Sequence, residues 1–141
     1  MRSWRGGPGA VPPRTEHGRV ARVLDGRTVE LTTGDEVRLA QFAAPGGDCG
    51  EPARRALAKA LGRRPLVDLE LVIPARDGQE RIAYIFKKGR NVNLGLAASG
   101  SGLVGTSEPA LPLYRPYLLA AAQLARTTRN GLWRSCPADA S

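Results

Sequence analysis

The sequence predicts one mixed α+β domain that is mainly β, with five strands and about three helices. Five short segments alternate apolar and polar residues, which is typical of strands with one buried face. Three longer segments have the apolar spacing or the alanine-rich composition of helices. One of these helices follows the third strand and separates it from the last two. This order favours a closed β structure with helices packed on its outside.

The first half of the chain supplies three strands and one helix. The predicted strands are residues 18–24, 28–31 and 36–42, and the turns DGRT and TTGD separate them. The segment EPARRALAKALG then predicts a helix that stops at Gly62. Its apolar residues fall on one helix face and predict a buried stripe: Ala53, Ala56, Leu57, Ala60 and Leu61.

The second half supplies two more strands and two helices. The strands are predicted at residues 65–73 and 81–86, joined by a hairpin tip at 75–79. Helices are predicted at 92–99, before Gly100, and at 114–131, after which Leu132 and Trp133 dock back. Five short strands with a helix after the third fit a five-stranded OB-type barrel with the helices outside.

Composition adds a charge and two loose ends to this domain. Lys and Arg number 21 against 13 Asp and Glu, so the net charge is +8. That surplus favours nucleic acid as a partner, although a merely solvated basic surface explains it equally well. We expect residues 1–17 to form a flexible arm, 18–136 the domain and 137–141 a loose tail. We expect a monomer. We expect no membrane span, because no apolar run is long enough to cross a bilayer.

Six segments, in this order, resemble those of one known family. They are VLDGRTVEL, VRLAQFAAP, GEPARRAL, RIAYIF, VNLGLAASG and LLAAAQLARTTRNGLW. Together they resemble the staphylococcal nuclease-like (thermonuclease) domain. The resemblance implies an OB barrel with three helices and, in active members, cleavage of DNA and RNA phosphodiesters with one calcium ion. It also implies where the chemistry would lie.

The resemblance places part of a nuclease site on this chain. The first aspartate of the family's turn is kept as Asp25, and the arginine on the following strand is kept as Arg38. A second aspartate, a calcium ligand in the family, is Arg27 here. The other metal-ligand aspartate is Ala43, and the glutamate that serves as general base is Gly46.

The family's second catalytic arginine is a further departure. It aligns with Glu80, and Arg81 takes its place only if the hairpin is shifted by one residue. Calcium needs several oxygen ligands, and a water nucleophile needs a base. We therefore expect the nuclease chemistry to be lost or severely reduced, with no cofactor.

Three functions remain open at this stage. The first is weak, non-specific nucleic-acid binding at a cationic cleft of Arg27, Arg38 and Arg81, or an interaction with an unknown protein partner. The second is an active calcium-dependent nuclease with a rearranged site, using Asp25, Asp48 and Glu51 with Arg38. The third is a structural remnant. Tyr84 and Tyr114 are candidates for stacking on bases, although Tyr84 fits a core position equally well. His17 is the only histidine, so a histidine-based catalytic site is not expected.

Two cysteines complete the resemblance. Exported relatives resemble this chain in having one cysteine before the first helix and one after the GLW segment, here Cys49 and Cys136. A bridge between them would close a loop of 86 intervening residues and stabilise the fold by ~3–5 kcal/mol. It would imply an oxidising, extracytoplasmic location, whereas the N-terminal residues lack the apolar segment of a signal peptide.

Overall fold

The structure is a computed structural model that describes residues 15–73 and 80–135. It contains a closed five-stranded mixed barrel with helices outside, which confirms the predicted fold class. The strands are β1 (Glu16–Asp25), β2 (Thr28–Leu31), β3 (Glu36–Leu39), β4 (Leu66–Leu71) and β5 (Arg81–Lys87), followed by the two-residue β6 (Arg90–Asn91). The helices are α1 (Gly50–Leu61), α2 (Val92–Ser99), α3 (Arg115–Thr127) and the short α4 (Leu132–Ser135).

Barrel closure depends on one parallel strand pair. The strands follow the order β3-β2-β1-β4-β5-β6, and every neighbouring pair in that order is antiparallel. Strand β3 then pairs with β5 in parallel, with Arg38 in register with Ile82. This last pairing removes the open edges of the five-stranded sheet. It also brings the chain after β3 next to the chain that enters α2.

Several predicted boundaries differ from the structure. Helix α3 ends at Thr127, whereas the predicted helix ran to residue 131, and β4 ends at Leu71, whereas the predicted strand ran to residue 73. Strand β1 begins at Glu16, and His17 lies in register with Asp68 of β4, so these two residues belong to the barrel and not to the arm. Strand β3 ends at Leu39 because Gln41 has a φ of 72°, which ordinary strand geometry excludes. The predicted hairpin tip, residues 1–14 of the arm and the 137–141 tail lie outside the described residues.

The buried side-chain amide of Asn93 links the strands at the end of the β3–β5 pair. Asn93 in α2 is fully buried, and its Nδ2 donates to the carbonyl oxygens of Ala40 and Ala83 at 3.0 and 3.3 Å. Its Oδ1 accepts from the backbone nitrogen of Ile85 at 2.9 Å. One side chain therefore bonds to backbone groups on both sides of the closure, where the backbone nitrogen of Ala40 also donates to the Ala83 carbonyl at 2.8 Å.

The two candidate stacking tyrosines lie in the core. Tyr84 and Tyr114 are both fully buried, and their ring centroids are 4.3 Å apart. Tyr84 donates to Gln41 Oε1 at 2.8 Å, and burial raises its pKa to about 12. Tyr114 donates to the Glu70 carboxylate. These rings are therefore not exposed for stacking on bases, and the core interpretation of Tyr84 is the correct one.

A smaller apolar cluster joins α1 to α4. It consists of Cys49, Ala53, Leu103 and Leu132, with the partly buried ring of Trp133 against it. This contact is the docking that the sequence predicted for Leu132 and Trp133. Cys136 lies outside the described residues, so its pairing with Cys49 stays a prediction. Among the described residues, no helix has the length and apolar character that crossing a membrane requires.

Replacing Asn93 by alanine should destabilise the barrel strongly. The Ile85 amide would lose its buried acceptor and the Ala40 carbonyl its side-chain donor, whereas the Ala83 carbonyl would keep the bond from the Ala40 nitrogen. We therefore expect a loss of about 3 kcal/mol in the free energy of unfolding. The Asn91→Ala variant is the control, because it removes the α2 N-cap bond to the Leu94 amide and should cost only about 1 kcal/mol. Urea denaturation measures both values, and equal losses would contradict the closure role.

The Cys49–Cys136 bridge can be tested without relying on burial. Protein denatured without reductant and treated with an alkylating reagent should keep both cysteines unmodified, and its mass should rise after reduction and alkylation. The oxidised protein should also be more stable than the reduced one by ~3–5 kcal/mol. Alkylation of both thiols in freshly purified, unreduced protein would overturn the pairing.

Candidate functional site

The carboxylate of Asp25 stabilises the turn between β1 and β2. The Asp25 Oδ1 accepts a hydrogen bond from the backbone nitrogen of Arg27 at 2.8 Å, which is the bond that defines an aspartate turn. Asp25 is exposed. Its carboxylate thus sits at the position expected from the sequence, where it holds the tight turn that aims Arg27.

Arg27 and Arg38 come together, as expected, but around a carboxylate that the sequence did not predict. Glu108 Oε2 lies 3.7 Å from Arg27 Nη1 and 3.8 Å from Arg38 Nη2. Glu80 Oε1 lies 4.0 Å from Arg38 Nε on another side. We call the space between Arg27, Arg38 and Glu108 the arginine cleft. Its two cations face two carboxylates, so the cleft is close to charge balance.

The loop that carries Glu108 is fixed on both sides. The backbone nitrogen of Gly105 donates to the Gln41 carbonyl at 2.8 Å, and the Gln41 nitrogen donates to the Pro109 carbonyl at 2.9 Å. The Arg115 guanidinium donates to the carbonyl oxygens of Thr106 and Glu108. A Cβ at position 105 would lie 2.6 Å from Glu108 Cγ, so glycine there makes room for the glutamate side chain.

The arginines of the cleft are largely withdrawn from solvent. Side-chain exposure is 22% for Arg27, 21% for Arg38 and 27% for Glu108. Arg27 Nη1 also donates to the Phe42 carbonyl at 3.1 Å. Arg38 Nε is buried and has no hydrogen-bond partner among the described residues. A phosphate entering the cleft would therefore have to compete with Glu108 for both guanidinium groups.

Arg81 lies apart from this cleft. It is in register with Val37, on the face of β3 opposite to that of Arg38. Its side chain is only 11% exposed and lies 3.5 Å from Glu16 and 3.5 Å from Asp35. The residue next to Arg38 is Glu80, so a one-residue shift does not bring Arg81 to the cleft.

The carboxylates of the rearranged-site hypothesis are only partly brought together. Asp25 and Glu51 line one cavity of about 270 Å³, together with Pro45 and Arg54. Arg54 donates to both Glu51 oxygens, and this hydrogen bonding lowers the pKa of Glu51. Asp48 is exposed and does not line the cavity. Within 15–73 and 80–135, no group of three or more His, Cys, Asp or Glu residues is placed to hold a metal ion.

Comparison with known proteins adds no family to this geometry. No model of a known protein family matches the chain, and no curated protein matches it either.

Removing the Glu108 charge should destabilise the fold. The Glu108→Gln variant leaves two partly buried guanidinium groups facing each other, so we expect a loss of about 1–2 kcal/mol at low salt. Salt should reduce the difference, because it screens the repulsion. The Glu36→Gln variant makes the same charge change at an exposed position of β3 and should cost little. Equal stabilities of the two variants in urea titrations would contradict the bridging role of Glu108.

Proposed function

We propose that this protein is a nuclease-like OB-type barrel that binds single-stranded nucleic acid weakly and does not cleave it. The observation that carries the proposal is the position of Glu108 between Arg27 and Arg38. Arg38 is the arginine that the nuclease resemblance would direct at a phosphate, and Arg27 stands where the resemblance expects a metal-ligand aspartate. The Glu108 carboxylate forms an ion pair with both arginines. Their charge therefore stabilises the fold and is less available to stabilise the transition state of phosphodiester cleavage.

The composition of the cleft supports the loss of cleavage. Hydrolysis of a phosphodiester with calcium needs several oxygen ligands for the ion and a base for the water. Arg27, Ala43 and Gly46 supply none of these at the three positions where the resemblance expects carboxylates. Asp25 is left as one carboxylate beside an arginine, which is a poor calcium site.

Charge and fold support nucleic-acid binding. The net charge of +8 attracts polyanions, and OB-type barrels often bind single strands. The affinity should be low and insensitive to sequence, because Tyr84 and Tyr114 are buried and the phosphate contacts dominate.

An active nuclease is the alternative function. The shared cavity of Asp25 and Glu51 favours it. It would require a third ligand from a side chain that moves, and it would require Glu51 to release Arg54. Glu51 already accepts two charge-assisted hydrogen bonds from Arg54. Losing them would cost more free energy than binding a weakly held calcium ion would return.

The two functions are separated by incubating the protein with a labelled single-stranded oligonucleotide and calcium, with EDTA as the control. We expect intact oligonucleotide in both samples. Fluorescence anisotropy should show binding, and log K against log salt should slope at roughly −0.7 per phosphate contacted.

Two results would contradict the proposal. One is EDTA-sensitive cleavage that survives a second purification and disappears in the Arg38→Ala variant, which would establish the nuclease. The other is the absence of binding at low salt, which would leave only a structural remnant.

A further inference from the structure

A second cationic surface lies on another part of the barrel. It is a concave groove of about 720 Å³ between α1, α2 and the turn from β5 to β6. We call it the basic groove. The residues that line it include Lys59, Lys87, Lys88, Arg90, Gly95 and Leu96. None of the residues of the arginine cleft lines it.

The cations of the basic groove have no acidic partner among the residues that the structure describes. Of these residues, no acidic one lines the groove. Lys59, Lys87, Lys88 and Arg90 form no ion pair with any residue in the described part of the chain. This differs from the arginine cleft, where Glu108 faces both arginines. Four like charges around one concavity repel one another, and a bound polyanion would relieve that repulsion.

The floor of the groove is apolar and open. Ala56, Ala60, Val92 and Leu96 contribute aliphatic surface, and Asn91, Ser99 and Ser101 contribute polar groups near it. Ala56 is half-buried and Ala60 is exposed, so the structure buries only Ala53, Leu57 and Leu61 of the stripe predicted for α1.

A glycine on α2 keeps this floor clear. A Cβ at Gly95 would meet no atom within 4 Å, so packing does not require glycine there. Glycine inside a helix costs about 0.5–1 kcal/mol relative to alanine. The fold thus gives up helix stability at a position that lines the groove.

We infer that the basic groove is the site where this protein binds a single-stranded nucleic acid, with the phosphates on its cationic rim and a sugar or base against its aliphatic floor. The inference rests on the proposed function and assigns its location. A flexible single strand can follow the curve of a groove of this size, whereas a duplex is too stiff to bend into it. A membrane surface fits less well, since lipid-binding faces present projecting apolar side chains rather than a concave floor.

The test uses an oligothymidine of about twelve nucleotides, within the range that OB-type folds cover, and measures its affinity at about 50 mM salt. The Lys59→Gln/Arg90→Gln variant removes one cation from each wall. We expect its affinity to fall by roughly tenfold per lost phosphate contact, and its log–log salt slope to decrease in magnitude by about 1.4. The control Arg129→Gln/Arg134→Gln removes two exposed cations that form no ion pair in the described part of the chain and do not line the groove, and its affinity should change less than about threefold.

An uncharged variant tests whether the ligand is seated in the groove. Gly95→Leu leaves the net charge unchanged and places a side chain in open space, so the helix should remain folded, as circular dichroism can verify. We expect a severalfold loss of affinity with an unchanged far-ultraviolet spectrum. A duplex of the same length and inorganic polyphosphate of equal charge should both compete less well than oligothymidine.

The outcomes separate the inference from the proposed function. If the parent protein binds oligothymidine but both groove variants bind like the control, the groove is not the site and only the inference fails. If polyphosphate competes as well as oligothymidine, the groove binds any polyanion by charge alone, without a contribution from sugar or base. Its assignment to nucleic acid is then overturned. If the parent protein binds no single strand, the proposed function fails together with the inference.

Discussion

The contact of Glu108 with Arg27 and Arg38 determines which charges the arginine cleft can offer to a ligand. It depends on long-range structure, because Glu108 is 70 residues or more from both arginines in the sequence. The loop that delivers it is tied to the backbone of Gln41 and to the Arg115 side chain. Gln41 in turn takes a positive φ and is held by Tyr84. The buried polar network and the charge state of the cleft are therefore one connected arrangement.

This arrangement divides the cations of the protein into two classes. Those of the arginine cleft, and Arg81 beside Glu16 and Asp35, are engaged with carboxylates and stabilise the fold. Those of the basic groove face a concavity and have no neutralising partner in the described part of the chain. A surplus of charge attracts a polyanion only where it is not already compensated. Binding is therefore proposed for the second class and not for the arginine cleft.

Local patterns in the sequence were sufficient for the fold and insufficient for the site. The spacing of Leu57 and Leu61 identified the buried face of α1, and Gly100 ended α2 in the left-handed conformation that favours glycine. Glu108 had no such signal, because nothing within a few residues of it reports a contact with two strands far earlier in the chain. The side of the strand that Arg81 occupies likewise followed from its parallel register with Val37, which the sequence pattern does not determine.

The central claim is that an internal carboxylate stands where a phosphate would otherwise bind. The most direct test compares the single-strand affinities of the parent protein, Glu108→Gln and Glu36→Gln at about 50 mM salt. Both variants raise the net charge equally, but only the first frees Arg27 and Arg38. The account predicts that Glu108→Gln binds roughly tenfold tighter than Glu36→Gln for each arginine that gains a phosphate, with a steeper salt dependence. Equal affinities and equal salt slopes for the two variants would contradict it.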